Sequence, residues 1–309
     1  MVGPVCILGP TASGKSRVAL AVAEQLPEVE LVSIDSMQVY REMDIGTAKP
    51  SPAEQELVRH HLIDIADPAE DFAVSMFQRA WLDVAAGLRA RGRIPLLVGG
   101  TGLYLRSVID ELEFPGQFPE VRAELEARAA GVEVLYEELE VLDPLAASRI
   151  DPNNERRVTR ALEVTKGSGR PFSSFGPGLI QYPETNFTLL GLRMDLGRVD
   201  DRIDERYEEQ MKRGFLDEVV ALTERPGGIG RTARQALGYR ELLGHVEHGV
   251  PLEEAIRDAK VRTHRFARRQ MKWFRRDPRI EWIDLDSSGA IHHGAAIERA
   301  RSLVGETET

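Results

Sequence analysis

Apolar and polar positions in this chain switch between two periods. "PVCIL" (residues 4–8) is a short apolar run that ends in glycine, and Val18, Ala19, Val22, Ala23 and Leu26 then recur at helical spacing. "ELVSID" (30–35) predicts a second strand, Val74–Arg91 a helix, and "IPLLVGG" (94–100) a third strand. The last of these is apolar without alternation, as in a parallel strand covered on both faces. "FTLLGLRMD" (187–195) and "IEWIDLD" (280–286) predict two more strands. Strands alternating with helices imply a doubly wound parallel sheet, whose ligands lie beyond the carboxyl ends of its strands. Asp35, Thr101 and the loop 9–16 all fall just past predicted strand ends, so three polar features converge on one edge.

From Phe114 the texture changes. "FPEVRAELEARAAG", "EELEVLDPLAASRI" and "NNERRVTRALEVTKG" read as helices with no strand between them, followed by an extended polar turn, "SGRPFSSFGPG". The predicted fold is therefore α/β, a P-loop doubly wound parallel sheet core with a helical insertion domain. The core spans 1–113 and 186–309, and the insertion spans 114–185.

The bulk numbers alter this picture in two places. Of 309 residues, 29% are charged and 42% hydrophobic, ordinary for a globular chain, and the single cysteine, Cys6, excludes an intrachain disulfide. Cys6 sits in the first strand and reads as an inert buried thiol in a cytoplasmic protein. The N-terminus lacks the basic and apolar regions of a signal peptide, and no run has the length of a membrane span. The formal net charge of −10 argues against nucleic acid, but the charge is unevenly spread. Ile256–Arg279 carries Arg257, Lys260, Arg262, Arg265, Arg268, Arg269, Lys272, Arg275, Arg276 and Arg279 against only Asp258 and Asp277. Ile256, Ala259, Thr263, Phe266, Ala267, Met271 and Phe274 form its inward stripe, and Arg262, Arg265, Arg269, Lys272 and Arg276 line another face. A solvated helix face is the ordinary reading; a surface for a polyanion fits the imbalance better.

The loop after the first strand, "GPTASGKS", fills G-x-x-x-x-G-K-[ST] with Gly9, Gly14, Lys15 and Ser16. Gly9, Pro10, Thr11, Ala12, Ser13, Gly14, Lys15 and Ser16 form a cradle for phosphates, and the Ser16 hydroxyl is the expected ligand of Mg²⁺. The usual guest is ATP or GTP. Two neighbouring stretches, "SIDSMQVYREMDIGTAKPS" and "GGTGLYL", match no general NTPase signature. Together with "HHLIDI", "DPNNERRVTRALEV", "QALGYRE" and "RFARRQMKWFR", in this order over about nine-tenths of the chain, they resemble the tRNA dimethylallyltransferase family.

The resemblance implies transfer of a dimethylallyl group from dimethylallyl diphosphate to N6 of adenine 37, in the anticodon loop of tRNAs reading codons that begin with U. The diphosphate leaving group resembles the last two phosphates of ATP, so a P-loop suits it without ATP hydrolysis. Lys15, the N–H groups of residues 11–16 and Mg²⁺ would stabilise the charge it acquires. An exocyclic amine must lose a proton as it attacks, and the resemblance makes Asp35 the general base with Thr101 orienting the reacting groups. Position alone would favour Asp35 as a Walker-type acid or a helix N-cap, and Thr101 as a turn residue. The adenine must be flipped out of the loop, and Ser36, Met37 and Gln38 beside Asp35 are candidates to hold it. Arg122 and the segment Arg156, Arg157, Val158, Thr159 and Arg160 match tRNA-contacting positions, and Arg265, Arg269 and Lys272 extend that surface. Each arginine could instead serve a surface ion pair.

Two positions depart from the family pattern. Arg156 stands where glutamine is frequent, and Val220 stands where some relatives carry an arginine, which leaves diphosphate contacts outside the P-loop open. His60, His61, His245 and His248 are read as structural, because no cysteine or acidic cluster joins them at zinc spacing. The expected partners are the tRNA anticodon stem-loop and dimethylallyl diphosphate, with no membrane and a monomeric assembly. The competing readings are a P-loop nucleotide kinase, a mononucleotide prenyltransferase and a non-catalytic RNA-binding NTPase. The first two give the basic helix no role, and the third leaves "DSMQVY" beside "GGTGLY" unexplained.

Overall fold

A computed structural model describes residues 4–128, 131–176, 178–285 and 294–305. The chain begins with β1 (Val5–Leu8), α1 (Lys15–Gln25), β2 (Val29–Ile34), α2 (Pro52–Leu57), β3 (His60–His61), α3 (Val74–Ala90), β4 (Ile94–Gly99) and α4 (Gly102–Ile109). It continues through α5 (Pro119–Ala127), α6 (Val132–Leu142), α7 (Pro144–Ala147) and α8 (Glu155–Ser168). It returns as β5 (Thr188–Arg193), α9 (Leu196–Lys212), α10 (Phe215–Glu224), α11 (Tyr239–His248), α12 (Leu252–Phe274), β6 (Ile280–Asp284) and α13 (Gly294–Gly305). Two compact units result, Met1–Ile109 with Glu184–Thr309, and Asp110–Pro183. The second begins four residues before the start of the insertion read from the sequence and ends two residues before its end. Residues 129, 130, 177 and 286, which fall within predicted elements, lie outside the described residues.

The first unit is built on a parallel sheet in the order β3-β2-β4-β1-β5-β6. β1 lies between β4 and β5, and every one of its residues is buried, which is why its sequence shows no alternation. The register aligns Leu8 with Gly99 on one side and Gly191 on the other, and Ile34 with Gly99. The residues that follow these strand ends, Gly9, Gly100 and Asp35, therefore leave the sheet at one level. Val18, Ala19, Val22 and Ala23 of α1 are buried as their spacing predicts. Cys6 is fully buried, and burial raises the pKa of its thiol, so it is an inert core residue. The short β3 carries no recognisable period, and the sequence does not predict it. It pairs with β2, and His61 Nε2 lies 2.6 Å from Glu30 Oε2, a carboxylate that also takes both arms of Arg91.

The second unit has its own core of Leu125, Leu135, Leu139, Ala146, Ala147, Val158, Ala161 and Leu162. Asn154 caps α8 by accepting from Arg157 N, and Gly169 ends it in the left-handed region. Among the described residues no helix is long and apolar enough to cross a membrane.

Candidate active site

The loop from Gly9 to Ser16 turns from β1 into α1. Gly14 occupies the N-cap with φ 88°, a conformation that costs an L side chain and not glycine. Lys15 folds back so that its Nζ donates to Pro10 O at 2.7 Å. Withdrawal from water lowers the Lys15 pKa to about 8, against the opposing pull of Asp35 and with a further push from Arg206. The N–H groups of this loop are not all free, contrary to the expectation for residues 11–16. Thr11 N donates to Gln270 Oε1 at 2.8 Å, and Ser13 N donates to Pro10 O at 3.3 Å. The N–H groups of Ala12, Gly14, Lys15 and Ser16 have no acceptor among the described residues. They form an anion cradle at the positive end of α1. Among the described residues Ser13 Oγ is buried without a partner, and the exposed Ser16 hydroxyl is engaged by no protein group.

Asp35 follows β2 directly. Its Oδ1 accepts from Met37 N at 2.8 Å and Gln38 N at 3.4 Å, so the side chain closes a turn on itself while Oδ2 is left open. Thr101 follows β4, and its Oγ1 accepts from Ser36 N at 3.2 Å, which leaves the hydroxyl proton available as a donor. The sheet register thus brings Asp35, Thr101 and the P-loop to one edge. Gln38 is placed beside them, but its amide is committed inward. Its Oε1 accepts from Ser33 Oγ at 2.8 Å and its Nε2 donates to Thr47 O and Ala48 O at 3.2 Å each. Ser36 and Met37 are half-buried at the turn itself.

Two residues that sequence reasoning gave no role complete this edge. Arg206 of α9 donates from Nη1 to Thr11 Oγ1 at 2.8 Å, while its buried Nε has no partner. Burial depresses its pKa, with Tyr207 and Asp35 opposing. Arg198, Arg202 and Arg206 repeat every four residues along α9 and, with Glu205 and Ala12, line a cavity of about 380 Å³. That spacing is visible in the sequence as one helix face of arginines, but nothing local ties it to the P-loop. Gln270 of α12 accepts from Thr11 N and donates from Nε2 to Gly100 O, also at 2.8 Å. Gly100 has room for no side chain there, since a Cβ would lie 2.3 Å from Gln270 Nε2. The predicted inward stripe of this helix omits Gln270, because an amide in an apolar stripe gives no hydropathy signal.

The basic candidates divide. On α12, Arg265, Arg269 and Lys272 are exposed on one face, and among the described residues neither they nor Arg275 and Arg276 just beyond form an ion pair. Arg268, by contrast, is clamped by Asp200, and Arg262 by Glu241. In the second unit Arg156 and Arg157 are exposed and have no ion-pair partner among the described residues. Arg122 and Arg160 both bind the buried carboxylate of Glu163, and Arg160 also donates to Pro115 O and Gly116 O. Val158 and Thr159, expected with the arginines at the RNA, instead point into the unit at 0% and 5% exposure. Helix periodicity explains this: they fall on the face of α8 that packs the core. Among the described residues no group of three or more His, Cys, Asp or Glu is placed to hold a metal. His245 Nδ1 lies 2.7 Å from Val250 O.

An exposed basic face beside a phosphate cradle and an open carboxylate has close relatives. The IPP transferase family model matches residues 38–277, and the Isopentenyl transferase model matches residues 4–67. The chain is similar to a tRNA dimethylallyltransferase of Desulforudis audaxviator, 43% identical over 98% of this chain and 97% of the relative. It is 44% identical to that of Roseiflexus castenholzii over 97% and 98%. Among solved structures it resembles a tRNA isopentenylpyrophosphate transferase from Bacillus halodurans (TM-score 0.69, 38% identity, 100% and 99% covered). It also resembles a eukaryotic dimethylallyltransferase acting on tRNA (TM-score 0.81, 26% identity, 99% and 80% covered).

Proposed function

The chain belongs to the IPP transferase family, and on that premise we propose how it carries out prenyl transfer to tRNA. The donor is dimethylallyl diphosphate, and the acceptor is N6 of an anticodon-loop adenine, flipped out of its stack in tRNAs that read codons beginning with U. The observation that carries this reading is the convergence of an anion cradle, an open carboxylate and a free hydroxyl at the ends of β1, β2 and β4.

In this reading the adenine N6 lone pair attacks C1 of the dimethylallyl group. The C1–O bond breaks, diphosphate leaves with the bonding electrons, and the N6 proton passes to Asp35 Oδ2. The other carboxylate oxygen, Oδ1, accepts from Met37 N, so the base is aimed before the substrate arrives. Thr101, fixed by Ser36 N, has its hydroxyl proton left to donate and so orients the reacting groups. The unengaged N–H groups of Ala12, Gly14, Lys15 and Ser16, with the Lys15 ammonium, take the charge that grows on the leaving group. Arg206 supplies the diphosphate contact outside the P-loop that Val220 leaves missing.

The site suits Mg²⁺ in the way that such ions prefer, through few protein ligands and several phosphate oxygens. The exposed Ser16 hydroxyl would hold the ion, which would supply positive charge against the diphosphate. On the first unit the tRNA contacts are Arg265, Arg269 and Lys272; on the second they are Arg156 and Arg157, with Arg122 and Arg160 available only by leaving Glu163. The enzyme works as a cytoplasmic monomer. The test is incubation with labelled dimethylallyl diphosphate and unmodified tRNA. Label entering tRNA without ATP consumption supports the reading, whereas ADP release coupled to turnover supports a kinase.

A further inference from the structure

We infer that Gln270 is a positioning residue for prenyl transfer, a spacer that sets the separation between the donor loop and the acceptor-side residues; the inference rests on the roles proposed above for the P-loop, Asp35 and Thr101.

The two halves of the site are carried by different strands, and the backbone does not join them beyond the sheet. The donor half leaves β1 at Gly9, and the acceptor half leaves β4 at Gly100. Gln270 lies between the two loops. One end of its amide accepts from Thr11 N and the other donates to Gly100 O, both at 2.8 Å. Both amide heteroatoms are thereby engaged, at 8% exposure. From Gly100 the next residue is Thr101, which holds Ser36 N, which precedes the turn that aims Asp35. On the other side Thr11 is held by Arg206. A connected path therefore runs from Arg206 through Thr11, Gln270, Gly100, Thr101 and Ser36 to the base; Gln270 carries it from the β1 loop to the β4 loop, and the Thr101–Ser36 bond carries it on to the β2 turn.

Thr11 N would ordinarily join the phosphate cradle. Spending it on Gln270 makes sense if the spacing between donor and acceptor halves matters more than one further contact to diphosphate. Displacement of reacting groups by about 1 Å costs up to about 10²-fold in rate. Gln270 also sits on α12 beside Arg269 and Lys272, which are exposed where Gln270 is buried. The helix proposed to meet the RNA is thus the helix that holds the two loops in register.

The full-length enzyme is compared with Gln270→Leu and Gln270→Glu. Three quantities are measured: the single-turnover rate with dimethylallyl diphosphate and an unmodified anticodon stem-loop, the affinity for inorganic pyrophosphate, and the affinity for the stem-loop. Gln270→Leu is expected to slow the single turnover by about 10- to 100-fold with both affinities within about threefold of wild type. Gln270→Glu supplies a readout that a merely structural role would not move. Its neutral acid can accept from Thr11 N and donate to Gly100 O as the amide does, whereas its carboxylate faces a carbonyl oxygen. Its rate relative to wild type should therefore rise as pH is lowered from about 8 to about 6, while the Leu ratio stays flat. A Leu variant within about threefold of the wild-type rate overturns the inference, and so does a rate loss matched by an equal loss of pyrophosphate affinity. A flat ratio for the Glu variant overturns it as well. If wild type itself fails to prenylate the stem-loop, the functional reading fails instead, and the two failures are distinguishable.

Discussion

Arg206 Nη1 donates to Thr11 Oγ1 across 2.8 Å, bringing a guanidinium from α9 onto the first turn of the phosphate loop. Three arginines on that helix face share one cavity with Ala12, and burial together with Arg198, Arg17 and Arg206 depresses the pKa of Arg202. Like charges packed this way are relieved by an anion. Arg206→Gln is expected to weaken donor binding by about tenfold or more, the worth of one hydrogen bond to a charged group. Stem-loop affinity should stay constant. Isothermal titration with pyrophosphate, with and without the substitution, checks this.

Asp35→Asn removes the proton acceptor but keeps an oxygen for Met37 N. The turn should therefore hold, with tRNA affinity within a few-fold, while kcat drops by roughly two to four decades. Single-turnover kinetics decide the matter; a near-normal rate would exclude Asp35 as the base.

Lys15 sets a pH dependence. Its pKa of about 8 lies below the ordinary 10.5, so the unfolded chain holds this proton more tightly than the free folded protein does. Stability of the free protein, relative to Lys15→Met, should therefore rise with pH between about 8 and 10.5 and be flat below 8. Binding behaves oppositely: donor affinity should weaken as pH rises through about 8, because only the ammonium attracts diphosphate. Denaturant titrations and pyrophosphate binding, carried from neutral pH to beyond the ordinary lysine range, measure the two slopes.

Reversing the charge of Arg265, Arg269 and Lys272 together should raise the KM for tRNA and leave the KM for dimethylallyl diphosphate nearly unchanged. The dependence of affinity on salt should flatten by about 0.7 to 0.9 units for each phosphate that the variant no longer neutralises. Free AMP modified as efficiently as the stem-loop would remove any need for this surface.

Glu218 of α10 accepts from Asp44 N, Ile45 N and Gly46 N at 3.0, 2.7 and 3.2 Å, and from the Tyr239 hydroxyl at 2.5 Å. The loop it holds supplies the carbonyls of Thr47 and Ala48 to Gln38. Glu218→Ala should cost on the order of 2 kcal/mol of stability, because several donors lose their acceptor together. Urea denaturation measures it.

What the amino-acid order determined unaided was whatever has a local period or a local pattern. β1, β4 and β5 were legible as nearly continuous apolar runs, whereas β2 and the edge strand β6 were legible from shorter apolar stretches that include Glu30 and Glu281. The P-loop was legible because Gly14 must take a positive φ one residue before Lys15. The placement of Asp35 and Thr101 was legible because one follows β2 directly and the other follows β4 after Gly100, and parallel register carries both to one edge; their roles came from the family resemblance. The tertiary structure alone decided which partner each polar group finds. Arg206 and Gln270 reach Thr11 from 195 and 259 residues away, and no window of sequence holds both members of either pair. Glu163 occupies Arg122 and Arg160, and the packed face of α8 takes Val158 and Thr159. Hydropathy patterning specifies which face of an element turns inward. The hydrogen-bond partner met there is fixed only when the elements pack, because a bond that must hold within about 3 Å depends on how two separately coded surfaces meet.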